Sequence, residues 1–198
     1  MLTEQGLVSQ NDAKQIAKAI NSLDIEWIRT SNYSGQVEDL FFQIEGELLK
    51  KAGDIAGNLH IARSRNDMAI TMYRLTLRDK MHTCLSSIIF LKEQLLTFAS
   101  EHVDTLMIAH THTQQAQPTT LGHYIIAVVD SLTRDIKRMM AAYDNCNQSP
   151  MGAAAITTSG FNINRERMVE LLGFDGLVEN SYDAIAGADY IAEIMTAT

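Results

Sequence analysis

The chain has 198 residues, of which 46% are hydrophobic, 20% charged and 7% aromatic, a mixture that supports a folded core and argues against both disorder and a disulfide-stapled miniature. At roughly 100 to 200 residues per domain it holds one domain, or one plus part of another. Its 16 Lys and Arg against 24 Asp and Glu leave a net charge of −8, which repels phosphate backbones and anionic lipid and argues against nucleic acid as a partner. Cys84 and Cys146 have no second cysteine nearby, so the sequence spells out neither a zinc knuckle nor a redox pair, and a reducing cytoplasmic setting is expected. No apolar run approaches the roughly 20 residues that span a bilayer, and the first residues lack the basic and apolar regions of a signal peptide.

Amphipathic spacing predicts a short helix near Asp12 to Leu23, carrying Ile16 and Ile20, and another near Gln36 to Lys51, carrying Leu40, Ile44 and Leu48. Between Gly57 and Pro118 the chain has neither Gly nor Pro, so that stretch can form one long helix. Ile70, Leu77, Cys84, Leu91 and Phe98 recur seven residues apart, and Met81, Ile88 and Leu95 follow three of them by four, which lays a narrow apolar seam for partner helices. A second long helix is expected after Gln117-Pro118-Thr119-Thr120, where Thr caps free amides and Pro is tolerated in the first turn. Its apolar positions are Leu121, Ile125, Val128, Leu132, Ile136, Met139 and Tyr143. Asp183 to Thr198 reads as a further helix with no stop signal, so the chain is expected to be a fragment or to rely on other subunits for cover. No strand pattern competes. The fold class is all-α: a small helical N-terminal domain, residues 1–65, followed by part of an elongated helical bundle, residues 66–198.

Three clusters could carry chemistry. His60-Ile61-Ala62-Arg63-Ser64-Arg65-Asn66-Asp67 combines guanidinium forks, a hydroxyl, an amide and a helix start, which together describe an anion clamp. By composition alone a plainer reading is preferred, in which Asn66 or Asp67 caps the helix and the arginines pair with nearby acids. His110-Thr111-His112-Thr113-Gln114-Gln115-Ala116-Gln117-Pro118 offers imidazoles able to move protons near neutral pH, beside groups that could orient them or a ligand. The plainer reading there is a polar connection between helices. Zinc on His-x-His ranks behind both, because further ligands at recognisable spacing are absent. Ser149-Pro150-Met151-Gly152-Ala153-Ala154-Ala155 reads as a tight loop that lets backbone approach closely.

Taken in order, these clusters resemble the argininosuccinate lyase family of the fumarase/aspartase superfamily. Leu59 to Asp67 is similar to the family's first signature, and Thr111-His112 through Ala116-Gln117-Pro118 and Leu121-Gly122-His123 to its second. Pro150-Met151-Gly152, Asn164-Arg165-Glu166, Leu172-Gly173-Phe174 and Asn180-Ser181 with Asp183-Ala184 resemble its downstream pattern. Gln5-Gly6-Leu7-Val8 and Glu38-Asp39 fit the N-terminal region, so the similarity runs along essentially the whole chain.

The resemblance implies a β-elimination that releases fumarate from arginine, with no cofactor or metal. Ser64, Arg65 and Asn66 would hold the carboxylates of a small dicarboxylate substrate, Thr111 would assist, and His112 would move a proton or support the charged intermediate. It also implies a homotetramer whose active sites combine segments of three subunits, and a mobile loop with the serine base further along than Thr198. This chain alone is therefore expected to show at most trace activity. Gln115 stands where an Arg is usual, Phe41 where a His often follows Glu-Asp, Ile61-Ala62 where Thr-Gly is usual, and Ala188 where an Arg precedes Asp189. Lost polar groups change substrate discrimination, so a lyase for another fumarate–amine adduct is the alternative, and a non-catalytic structural relative of the crystallin type is another.

Overall fold

A computed structural model describes residues 1–198, and the chain divides into two compact units: residues 1–72 with 148–187, and residues 73–147 with 188–198. Each is built mainly from helices whose ends are fixed by short polar side chains. In the first unit, α1 (Gln10–Asn21) starts where Ser9 Oγ accepts the Asp12 amide. Helix α2 (Ile25–Thr30) starts on Asp24 and α3 (Leu40–Ala52) on Asp39, each carboxylate accepting an amide three residues on. A 3₁₀ segment, Gly53–His60, follows α3, and Gly53 makes the turn at φ +63°. Ala19, Leu48 and Ala56 form a buried cluster closed by Leu23, Ile44, Ala52 and Leu59, so the apolar stripes of α1, α3 and the 3₁₀ segment meet there.

Helix α4 (Arg65–Glu101) belongs to the first unit as far as Met72. The rest of that unit is α6 (Arg165–Leu172), α7 (Ser181–Ala186) and a parallel pairing of the two-residue strands β3 (Gln148–Ser149) and β4 (Gly176–Leu177). Arg165 holds this region together: its guanidinium donates to the carbonyls of Met151, Val178 and Glu179 at 3.2, 2.9 and 3.0 Å.

The second unit holds the remainder of α4, the hairpin β1 (Leu106–Thr111) and β2 (Gln114–Thr120), α5 (Leu121–Cys146) and α8 (Asp189–Ala197). Thr120 caps α5 as expected, its hydroxyl accepting the His123 amide. At the other end of α5, Arg74 Nη1 donates to the last carbonyls, Asn145 O at 2.8 Å and Cys146 O at 3.2 Å, while its guanidinium carbon lies 3.9 Å from the Tyr190 ring centroid. A cation over an aromatic face and on helix C-terminal carbonyls is favoured on both counts. Met81, Leu85, Val129, Met139, Ala142, Cys146 and Ile194 supply buried apolar side chains.

The architecture is all-α in class, and three local expectations are corrected. The stretch before Pro118 is not one helix: α4 stops at Glu101, and a strand hairpin occupies Leu106 to Thr120. Pro118 is not in the first turn of α5 but in β2, opposite Ile108. The last helical segment is two helices, broken at Gly187. Of the apolar seam, Met81 is buried and Ile88 and Leu95 are half-buried, whereas Leu91 and Phe98 are exposed. No helix is long and apolar enough to cross a membrane.

Candidate functional site

Ser64 stands immediately before α4, Arg65 and Asn66 open its first turn, and the fold fixes this helix head through Asp67. The Ser64 hydroxyl accepts the Asn66 amide at 3.2 Å, and Asp67 Oδ1 accepts the Ser64 amide at 3.0 Å, a reciprocal cap. Asp67 is fully buried, and its second oxygen accepts the amides of Gly152 and Ala154 at 3.1 and 2.9 Å. Burial pushes its carboxyl above the ordinary value, against the pull of these backbone donors. Asn66 Nδ2 donates to Ala155 O at 2.9 Å, so the tight loop after Pro150 is stitched to the head of α4 from two residues. Gly152, at φ +87°, is required there: a Cβ would meet Met168 Cε at 2.7 Å and Arg165 Cγ at 2.8 Å.

The arginines differ. Arg65 donates from Nη1 to Asp39 Oδ2 at 2.9 Å and from Nη2 to Glu38 Oε1 at 3.0 Å, with its guanidinium 4.7 Å from the Phe42 centroid. These acids push its proton affinity up. Arg63 is partly buried, which lowers its pKa, and Nη2 meets His60 Nδ1 at 3.2 Å. A guanidinium only donates, so His60 Nδ1 accepts; Nε2 then carries the proton, 2.6 Å from Glu45 Oε1. Phe41 packs edge-on against both Phe42 and His60. The sequence reading overlooked Glu45 and the His60–Arg63 pairing, and found Glu38 and Asp39 only through resemblance. The Glu45-to-His60 spacing carries no periodic signal, since the 3₁₀ segment between them sets it. Ala62 stands at φ +55°, the conformation that favours the glycine usual at that place.

Thr111 and His112 lie at the hairpin tip, in the second unit. Thr111 pairs with Gln114, leaving His112-Thr113 as a two-residue turn with φ +48° and +63°. Both central residues are left-handed, as a type I′ turn requires, yet neither is the Gly or Asn that adopts it cheaply. A β-branched Thr at positive φ is strained, and such strain gathers at functional positions. Thr111 and His112 are exposed, and the Thr113 hydroxyl donates to the His112 carbonyl at 2.6 Å. Gln115 lies opposite His110. The hairpin is anchored at its base, where the Leu121 and Gly122 amides donate to Thr105 O and His102 O, each at 2.9 Å. The two predicted sets therefore occupy different compact units. No three His, Cys, Asp or Glu side chains gather in a way that could hold a metal ion.

A helical chain with a capped arginine-serine-arginine-asparagine helix head and a strained imidazole-bearing hairpin has clear relatives. The family described as lyase matches residues 5–198, and the chain belongs to that family, within the fumarase/aspartase superfamily. Argininosuccinate lyase from Methanocaldococcus jannaschii is 42% identical over 196 residues, which is 98% of this chain and 40% of the relative. Argininosuccinate lyase 2 from Agrobacterium fabrum is 47% identical over 193 residues, 96% of this chain and 38% of the relative. Among solved structures, an EDDS lyase in complex with formate matches 100% of this chain and 39% of its own, at 36% identity with a TM-score of 0.90. A variant of EDDS lyase has been solved with bound fumarate. The chain thus spans about 40% of the length of the curated relatives it matches.

Proposed function

We propose that the chain works in an argininosuccinate lyase, splitting argininosuccinate into arginine and fumarate, with residues 1–65 as its N-terminal helical domain and 66–198 as part of its central bundle. Ser64, Arg65 and Asn66 hold the carboxylates of the fumarate portion. Thr111 assists, and His112 moves a proton or steadies the charge that develops as the proton beside the carboxylate leaves. The base is the serine of a mobile loop outside these 198 residues. The working form is a cytoplasmic homotetramer with composite sites, a reading supported by the exposed Phe90, Leu91 and Phe98 on α4. The observation that carries the proposal is that both polar clusters occur, in order, on a chain 47% identical to an argininosuccinate lyase.

The test is a chimera joining these residues to the remaining length of the Agrobacterium fabrum relative. Release of fumarate from argininosuccinate is expected, with Arg65→Ala and His112→Ala each lowering kcat/KM at least about a hundredfold. A folded, oligomeric chimera that releases no fumarate contradicts the proposal. The likeness to EDDS lyase, together with Gln115, Phe41 and Ala188, supports a second reading, elimination from a different fumarate–amine adduct. A panel of such adducts offered to the same chimera separates the two.

A further inference from the structure

The guanidinium fork proposed to take a substrate carboxylate is already filled by carboxylates of the chain itself. Arg65 gives its two terminal nitrogens to Asp39 and Glu38 at 2.9 and 3.0 Å, and Phe42 backs its plane. Two oxygens from two carboxylates on one fork are what a dicarboxylate would also supply. One cation with two anions sums to −1, so an arriving dianion is repelled while both acids remain. The acids are held unequally. Asp39 also caps α3 through the Phe42 amide, at 3.3 Å, whereas the Glu38 side chain is 67% exposed and bonds only to Arg65. Glu38 can therefore leave at little expense, since an ion pair this exposed is weak.

We propose that Glu38 and Asp39 are an internal competitor that occupies the Arg65 fork in the unliganded protein, and that Glu38 withdraws when a dicarboxylate binds. This rests on Arg65 being the carboxylate anchor proposed above. Glu38 then sets affinity from outside the reacting atoms, acting through Arg65 as a positioning residue rather than a catalytic one. Its charge weakens binding that its removal would strengthen.

The probe is succinate, measured by calorimetry on the full-length chimera and as an inhibitor of argininosuccinate turnover. Glu38→Gln keeps the size and removes the charge. It is expected to tighten succinate binding about two- to fivefold, the range of a weak exposed ion pair, with KM falling in step, kcat not rising and the melting temperature unmoved. Glu38→Gln combined with Asp39→Asn, which retains the cap, is expected to tighten binding further. Unchanged or weaker succinate binding in Glu38→Gln overturns the competitor, the weaker result marking Glu38 as a support for Arg65 instead. A parent chimera that binds no succinate overturns the functional reading and the competitor with it, so the two failures are distinct.

Discussion

Asp67 shows how one side chain can join two motifs that are more than 80 residues apart in sequence. Its oxygens accept amides from Ser64, Gly152 and Ala154, and removing the carboxylate leaves those donors without a partner. A buried donor so orphaned costs about 1–3 kcal/mol, so Asp67→Ala is expected to lower the unfolding free energy by about 3 kcal/mol or more in a urea melt. Asp67→Asn, with one acceptor oxygen, should fall between. The pH dependence has a definite sign: burial raises the folded-state pKa of this acid above its unfolded value, so the native form binds more protons and stability from this group declines as pH rises through the carboxylate range. The wild-type chain should therefore lose ground to Asp67→Asn between acid and neutral pH. A wild type that gains ground instead would mean the three amides outweigh desolvation. Sequence alone offered Asn66 or Asp67 as a cap; the second role of Asp67 was invisible because Gly152 and Ala154 reach it only through the fold.

The junction of α4, hairpin and α5 is decided by backbone rather than side chains. The Gly122 amide donates to His102 O, and a Cβ on Gly122 would sit 2.7 Å from Ala99 O and 3.0 Å from His102 O. Gly122→Ala must push two helix ends apart, which costs about 1–3 kcal/mol; a thermal melt unchanged by the substitution would contradict this close approach. The helices themselves were legible, since α1, α3, α4 and α5 follow from apolar spacing, with a Thr cap ahead of α5. The hairpin was not. In β1 the apolar Leu106 and Ile108 stand on the exposed face while Met107 and Ala109 are half-buried on the other, so both faces read as apolar and no alternation shows, and the turn is His-Thr instead of an Asn-Gly signal. Short α2 and α7, at six residues each, fall below the length at which a period can be read.

For the whole molecule, the two clusters lie in separate compact units, each with its own support: Asp67 and the Pro150 loop for Arg65, the α4–α5 junction for the hairpin that carries His112. Residue types and spacing identified both clusters, while their roles came from family resemblance, because neither a helix cap nor a hairpin turn reveals its ligand. Arg65 also illustrates why the plainer reading was reasonable, since its fork is paired with acids, although these, Glu38 and Asp39, lie 27 and 26 residues away rather than beside it in sequence. The central proposal is that the Arg65 and His112 clusters serve one dicarboxylate in sites assembled from several copies. The most direct measurement uses differently tagged Arg65→Ala and His112→Ala forms of the full-length chimera, each inactive, refolded together and purified through both tags. Mixed oligomers are expected to release fumarate that neither parent releases; doubly tagged oligomers as inactive as their parents would contradict the claim.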